Sequence, residues 1–207
     1  MRVNHSFRQA FAASLALILS LAALSTAQSP LNDRISKIQI ENFGRINENY
    51  YRGAQPKKND YAVLAALGVK TVVDLLREGV AEEEAIVESL GMRFYRIGVS
   101  SKSKPSSEDV ARFLAIVNDP ANQPVFVHCH VGRHRTGVMT AIYRVAIDGW
   151  TADRAYAEMK QYKFEKGFLQ GFFHAELKNY VYDYYGQLSA QNAPNATQKT
   201  AAYSQYS

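Results

Sequence analysis

Cysteine is almost missing from this 207-residue chain; Cys129 is the only one. One cysteine excludes an intramolecular disulfide. Long apolar runs are scarce too. The longest, Phe11 to Leu24, is broken only by Ser14 and Ser20 and covers about 14 residues, where a membrane-spanning helix needs roughly 20. Charge of one sign is also in short supply. The formal balance is +5, but Arg2 and Arg8 lie in the N-terminal segment, and without them 22 basic residues face 19 acidic ones. So mild an excess, with no Lys/Arg stripe interleaved with aromatics, argues against a nucleic-acid partner. Hydrophobic content of 47% and charged content of 21% exclude global disorder.

The N-terminus reads as an export signal over residues 1–27. Arg2 and Arg8 supply a positive leader, the apolar run follows, and Ser25-Thr26-Ala27 offers small residues for cleavage before Gln28. The expected location is periplasmic or secreted, with no stable membrane insertion once the signal is cleaved. In an oxidising compartment cysteines usually pair, so an odd one is read as a reactive thiol rather than a structural one.

After a polar lead-in over 28–33, the pattern predicts one domain over 34–188 and a disordered tail over 189–207, rich in Ala, Gln, Asn, Thr and Ser. Ile38 and Ile40 alternate with polar residues as in a short strand, Asn42-Phe43-Gly44 reads as a turn, and Tyr50-Tyr51-Arg52 as a second strand. Helices are expected at Asn59–Leu67 and Ala81–Leu90, strands at Val69–Leu76 and Met92–Val99. Ser106 is placed as the N-cap of a helix with Asp109 three residues on. Pro124 to Cys129 reads as a buried strand, followed by helices from Thr136, from Thr151 and over Phe168–Leu188. Strand–helix alternation gives an α/β class: a mostly parallel sheet flanked by helices, with ligands bound beyond the C-terminal strand ends. No internal repeat is present, and the domain is expected to act as a monomer.

Cys129 falls at such an end. Five residues separate it from Arg135, and the third is Gly132. A loop of that length between strand and helix turns successive backbone N–H groups inward as an anion nest. The helix start adds free N–H groups and the positive end of its dipole. The same field favours a thiolate at Cys129, the nucleophile for a phosphocysteine intermediate. Arg135 offers a planar fork for phosphoryl oxygens and counters transition-state charge. Thr136 can donate its hydroxyl to the departing sulfur, and His128 braces the loop. His130, Val131, Gly132, Arg133 and His134 complete the substrate contacts with Arg135. This scheme needs no metal and no cofactor.

His128-Cys129-x-x-Gly132-x-x-Arg135-Thr136-Gly137 resembles the signature loop of the cysteine-based protein tyrosine and dual-specificity phosphatases. Asn49-Tyr50-Tyr51-Arg52-Gly53-Ala54-Gln55-Pro56 is similar to the Tyr-Arg-Ser-x-Gln-Pro segment of their compact atypical branch. Gly132-Arg133-His134-Arg135-Thr136-Gly137 looks most like the plant and fungal atypical dual-specificity phosphatases, some of which act on inositol pyrophosphates, here in an exported bacterial-type version. The resemblance covers about residues 40–165. It implies hydrolysis of phosphate monoesters on a phosphoprotein, a phosphorylated small molecule or a lipid head group.

The chain departs from that pattern at the general acid. Family members carry an aspartate on the loop before the preceding helix, but Ser100-Ser101-Lys102-Ser103-Lys104 has no carboxylate. Asp109, its neighbour Glu108, and His134 in the signature loop are the candidates. Other readings stay open: an inositol polyphosphate or phosphoinositide phosphatase, and, of another class, a catalytically weak phosphate-binding module. A rhodanese-type sulfurtransferase fits the Arg-Thr-Gly ending poorly, a thiol-relay arsenate reductase needs more cysteines, and a low-molecular-weight phosphatase carries its loop near the N-terminus. Lys102, Lys104, Lys160, Lys163 and Lys166 are the candidates for a basic rim.

Overall fold

The computed structural model describes residues 35, 38–100, 103–166 and 171–192. The expected signal and lead-in, most of the expected tail, and Ser101 and Lys102 lie outside these residues. Five strands form one sheet in the order β1-β2-β5-β3-β4. They are β1 (Gly44–Asn47), β2 (Tyr50–Ala54), β3 (Thr71–Asp74), β4 (Arg93–Arg96) and β5 (Val125–Cys129). Strand β1 runs antiparallel to β2, and all other pairs are parallel. The helices are α1 (Asp60–Ala66), α2 (Glu83–Ser89), α3 (Ser107–Asn118), α4 (Arg135–Ala146), α5 (Ala152–Gln161) and α6 (Gly171–Asn192).

Central β5 is buried at every position, as its unbroken apolar run requires with helices on both faces. The two-residue period divides its side chains. Val125, Val127 and Cys129 join the core built by α3, α4, α5 and α6, while Phe126 joins Val72, Tyr51, Tyr61, Leu64 and Val87 under α1 and α2. Helix α4 is the axis of the larger layer, with residues 136–145 all buried. Its Arg144 takes Glu158 of α5 and Asp148 at 2.6 Å each, donates to the Ile46 carbonyl of β1 at 3.0 Å and stacks on Trp150. That one side chain ties three elements together.

Ser106 caps α3 in a reciprocal box with Asp109, and Thr151 caps α5 through the Arg154 amide. Two boundaries differ from the sequence expectation. The first strand is Gly44–Asn47 rather than Ile38–Ile40. Ile40 is buried in the α1/α2 core without pairing, Asn42 turns the chain at φ +52°, and the pairing segment Gly-Arg-Ile-Asn is an edge strand with only Ile46 inward. Such a strand carries little apolar alternation to detect. Helix α6 also continues to Asn192, past Ser189, because a solvated helical extension needs no apolar face.

Candidate active site

Strand register brings four chain ends to one edge of the sheet. Ala54 pairs with Cys129, and Asp74 lies between His128 and Arg96. Cys129 is 2% exposed at the end of β5, and α4 begins six residues later at Arg135 with His134 as its N-cap. Its start aims N–H groups and the positive dipole end back toward the loop.

The loop between them is turned outward by its surroundings. The His130 carbonyl accepts from the Gln55 amide at 3.3 Å, the Val131 carbonyl from Asn42 Nδ2 at 2.8 Å, and the Gly132 carbonyl from Arg52 Nη2. In a planar trans peptide the N–H points opposite the C=O. Three carbonyls drawn to these donors therefore turn the amides of Val131, Gly132 and Arg133 to the loop's concave side, which makes an anion nest. Gly132 is required at its place. It has φ +67°, and a Cβ there would lie 2.6 Å from the Gly53 carbonyl oxygen and 2.7 Å from the Ala54 nitrogen. Thr136 is fully buried, and its Oγ1 has no hydrogen-bond partner among the described residues. A hydroxyl left so at the first turn of α4 is available to the sulfur or to a bound anion.

His128, fully buried, faces away from Cys129 into the α1/α2 layer. Its Nε2 is 2.8 Å from Glu83 Oε1, its Nδ1 is 4.0 Å from Asp74 Oδ1, and its ring stacks on Phe126. Glu83 also accepts from the Tyr61 hydroxyl at 2.7 Å, and Tyr61 in turn accepts from Gln55 at 2.9 Å. Burial pushes the Glu83 carboxyl up, but the hydrogen bond and charge of His128 and the Tyr61 hydroxyl hold it below the usual value. Asp74, Glu83 and His128 have ligand-type atoms within 4.8 Å of one another. Arg96 already supplies a cation there, with Nε 2.9 Å from Asp74 and Nη2 3.8 Å from Glu83. The cluster is a buried polar brace behind the loop, with Arg96 as its cation.

On the rim, Arg133 donates to Glu41 Oε1 at 2.8 Å, and Lys163 Nζ lies 3.7 Å from the same oxygen. The Arg133 hydrogen bond holds the Glu41 carboxyl below its usual range. Of the expected basic rim, Lys163 is thus joined to the loop, whereas Lys160 packs on the Tyr156 ring. Lys104 lies in a separate groove of about 490 Å³ between α3 and α6.

The acid candidates separate. Asp109 closes the α3 capping box, accepting from the Ser106 amide at 3.4 Å, and its charge acts on Tyr180 of α6. Glu108 is exposed. His134 stays in the loop, with Nε2 3.2 Å from the Phe164 carbonyl oxygen and its ring edge-on to Phe164.

The sequence reading missed Arg52, Asp74, Glu83, Glu41 and Asn42. Arg52 left one sign, a charge inside a buried apolar strand. Glu83 sits in an acidic run that also reads as helix-start electrostatics.

A family model described as "DSP-PTPase phosphatase fused to NAD+ Kinase" matches residues 33–174. The chain belongs to this phosphatase family. Inositol diphosphatase SIW14 of Saccharomyces cerevisiae is 27% identical over 153 residues, covering 71% of this chain and 53% of the relative. Dual specificity protein phosphatase TpbA of Pseudomonas aeruginosa is 28% identical over 120 residues, covering 58% of this chain and 54% of the relative. The chain spans little more than half the length of these relatives. The crystal structure of the core catalytic domain of the PP-IP phosphatase SIW14 in complex with citrate aligns at TM-score 0.59 and 22% identity. It covers 80% of this chain and 93% of its own. That of TpbA aligns at TM-score 0.56 and 24% identity, covering 70% and 91%. The family's mostly parallel sheet flanked by helices is the fold found here.

Proposed function

We propose that this chain is a cysteine-dependent phosphatase that hydrolyses phosphate monoesters through a phosphocysteine intermediate, in the manner of tyrosine and dual-specificity phosphatases. The carrying observation is the run of three outward-held carbonyls, which leaves a nest of N–H groups between Cys129 and Arg135. A phosphoryl dianion sits in that nest, Cys129 attacks in line, and Arg135 takes the equatorial oxygens. Thr136 donates to the departing thiolate when water completes the second step. His134 is the general acid, since Asp109 is held in its cap. Export by residues 1–27 and action as a monomer complete the reading.

The purified protein is expected to hydrolyse an aryl phosphate without added metal and to be blocked by vanadate. Cys129→Ser abolishes turnover and retains phosphate binding. An active Cys129→Ser protein overturns the mechanism, and tight phosphate binding with no turnover of any ester identifies a binding module instead.

A second substrate reading, an inositol polyphosphate or phosphoinositide, is favoured by Arg133 and Lys163 converging on one carboxylate beside the nest. Cations so placed suit a second anionic group. Comparison of a phosphotyrosine peptide with inositol polyphosphates at matched ionic strength decides between the two.

A further inference from the structure

Arg52 is the largest fully buried side chain among the described residues, and its environment is unusual for a cation. It projects from β2 on the same face as Tyr50. Its register partner is Val127, and Cys129 is two residues further along β5 on that face. One guanidinium nitrogen, Nη2, clasps the Gly132 carbonyl of the phosphate loop. The other two, Nε and Nη1, have no hydrogen-bond partner among the described residues. Among the described residues no carboxylate is within ion-pair distance of Arg52. Glu158 acts on it only at long range, because both its oxygens are taken by Arg144. Tyr162 closes over the guanidinium with its ring centroid 4.0 Å away, and Gly44 is kept without a side chain by that ring, since a Cβ would come within 2.6 Å of its Cζ.

A buried cation normally has a counter-charge, because leaving one unpaired in a low-dielectric interior is costly. Burial lowers the affinity of Arg52 for its proton, and Tyr50, Tyr162 and Cys129 act against that loss. The tyrosines are neutral at physiological pH, Tyr50 being pushed well above its usual value by burial. That leaves Cys129, two residues along β5 on the Arg52 face, as the acidic group of the loop that Arg52 clasps. We propose that Arg52 is a positioning residue whose counter-ion is the Cys129 thiolate, and that its clasp on Gly132 holds the loop open for the phosphoryl group. Thiolate formation and loop geometry are thereby set by one side chain beneath the loop. The inference rests on Cys129 being the nucleophile, as read above.

The charged and titratable groups on elements around Cys129 are Arg52 and Tyr50 on β2, Tyr162 over the Arg52 guanidinium, Glu158 of α5 at longer range, His128 with Glu83 and Asp74 behind, and His130, Arg133, His134 and Arg135 in the loop. A variant must therefore change Arg52 alone. Arg52→Gln removes the charge and, being two bonds shorter, the clasp of Nη2 on the Gly132 carbonyl; Arg52→Lys keeps the charge and loses the fork. The readout is the rate of Cys129 alkylation by iodoacetamide between pH 4 and 9, which requires no turnover. Aryl phosphate hydrolysis by the unmodified protein is followed in parallel, so that failure of the phosphatase reading is seen separately.

Arg52→Gln is expected to raise the alkylation midpoint by about one to two pH units, and Arg52→Lys to return most of that shift. Both variants lower phosphate affinity, because each loses the clasp. A Gln variant that folds and alkylates with the wild-type midpoint overturns the proposal, whatever its melting temperature. Should the Gln variant fail to fold, the Lys variant decides. A midpoint within about half a unit of wild type supports the counter-ion role, and a rise of about a full unit overturns it.

Discussion

Glu83 Oε1 lies 2.8 Å from His128 Nε2 with both side chains fully out of solvent, so helix α2 is fastened to the residue preceding Cys129. The contact lies on the α1/α2 side of the sheet, away from the Cys129 side chain. Cys129 and His128 are adjacent in sequence, yet β5 sends one to each face.

Glu83→Gln tests that fastening. Breaking a buried pair leaves His128 without its carboxylate, a loss of about 3 kcal/mol at neutral pH. Glu83 is held below its ordinary value of 4.5 in the folded protein. Its contribution is therefore complete above about pH 4.5 and fades as pH falls through the lowered folded value. Urea unfolding is expected to show the gap between wild type and variant narrowing toward pH 3. A gap independent of pH would show that the carboxylate charge is not what stabilises.

Gly132→Ala forces a side chain into φ +67° against the Gly53 carbonyl. Because the obstacle is backbone, the loop must move and the nest opens. The expected result is a loss of kcat/KM of about 10²-fold or more with a stability loss of about 1–3 kcal/mol. Steady-state kinetics beside thermal melts check it; equal activity would mean the loop tolerates the shift.

Glu41→Ala releases Arg133 and Lys163 from the carboxylate they share. Competitive inhibition by tripolyphosphate is expected to strengthen relative to inhibition by orthophosphate, by about two- to fivefold, the scale of an exposed ion pair. The effect shrinks in high salt. If the ratio of the two inhibition constants is unmoved, the rim cations do not take a second anion.

His134→Ala and Asp109→Asn distinguish the acid by leaving group. For His134→Ala, alkyl phosphates are expected to slow by about 10²–10⁴-fold and aryl phosphates far less. Asp109→Asn loses charge from a capping box, and its cost appears as about 1 kcal/mol of stability. An alkyl-specific defect in the asparagine variant, absent from the alanine one, moves the acid to Asp109.

Much of the site was legible because it is local. Cys129, Gly132, Arg135 and Thr136 lie within eight consecutive positions, and a strand–loop–helix needs only a short apolar run, a glycine and a helix start to be recognised. The caps at Ser106 and Thr151 are local for the same reason. Strand β1 was misplaced because an edge strand with one inward residue leaves no periodic trace.

What the sequence by itself determined is the strand–loop–helix from Cys129 to Arg135 and the α/β alternation that presents it. The tertiary structure alone decided its surroundings. Arg52, Asn42 and Gln55 hold the loop's carbonyls from 75 to 89 residues away, and Glu83 holds His128 from 45 away. Arg52 and Gln55 reach the loop through the register of β2 on β5, Asn42 from the turn before β1, and Glu83 reaches His128 from helix α2. A register is fixed by the packing of whole strands rather than by any residue in them.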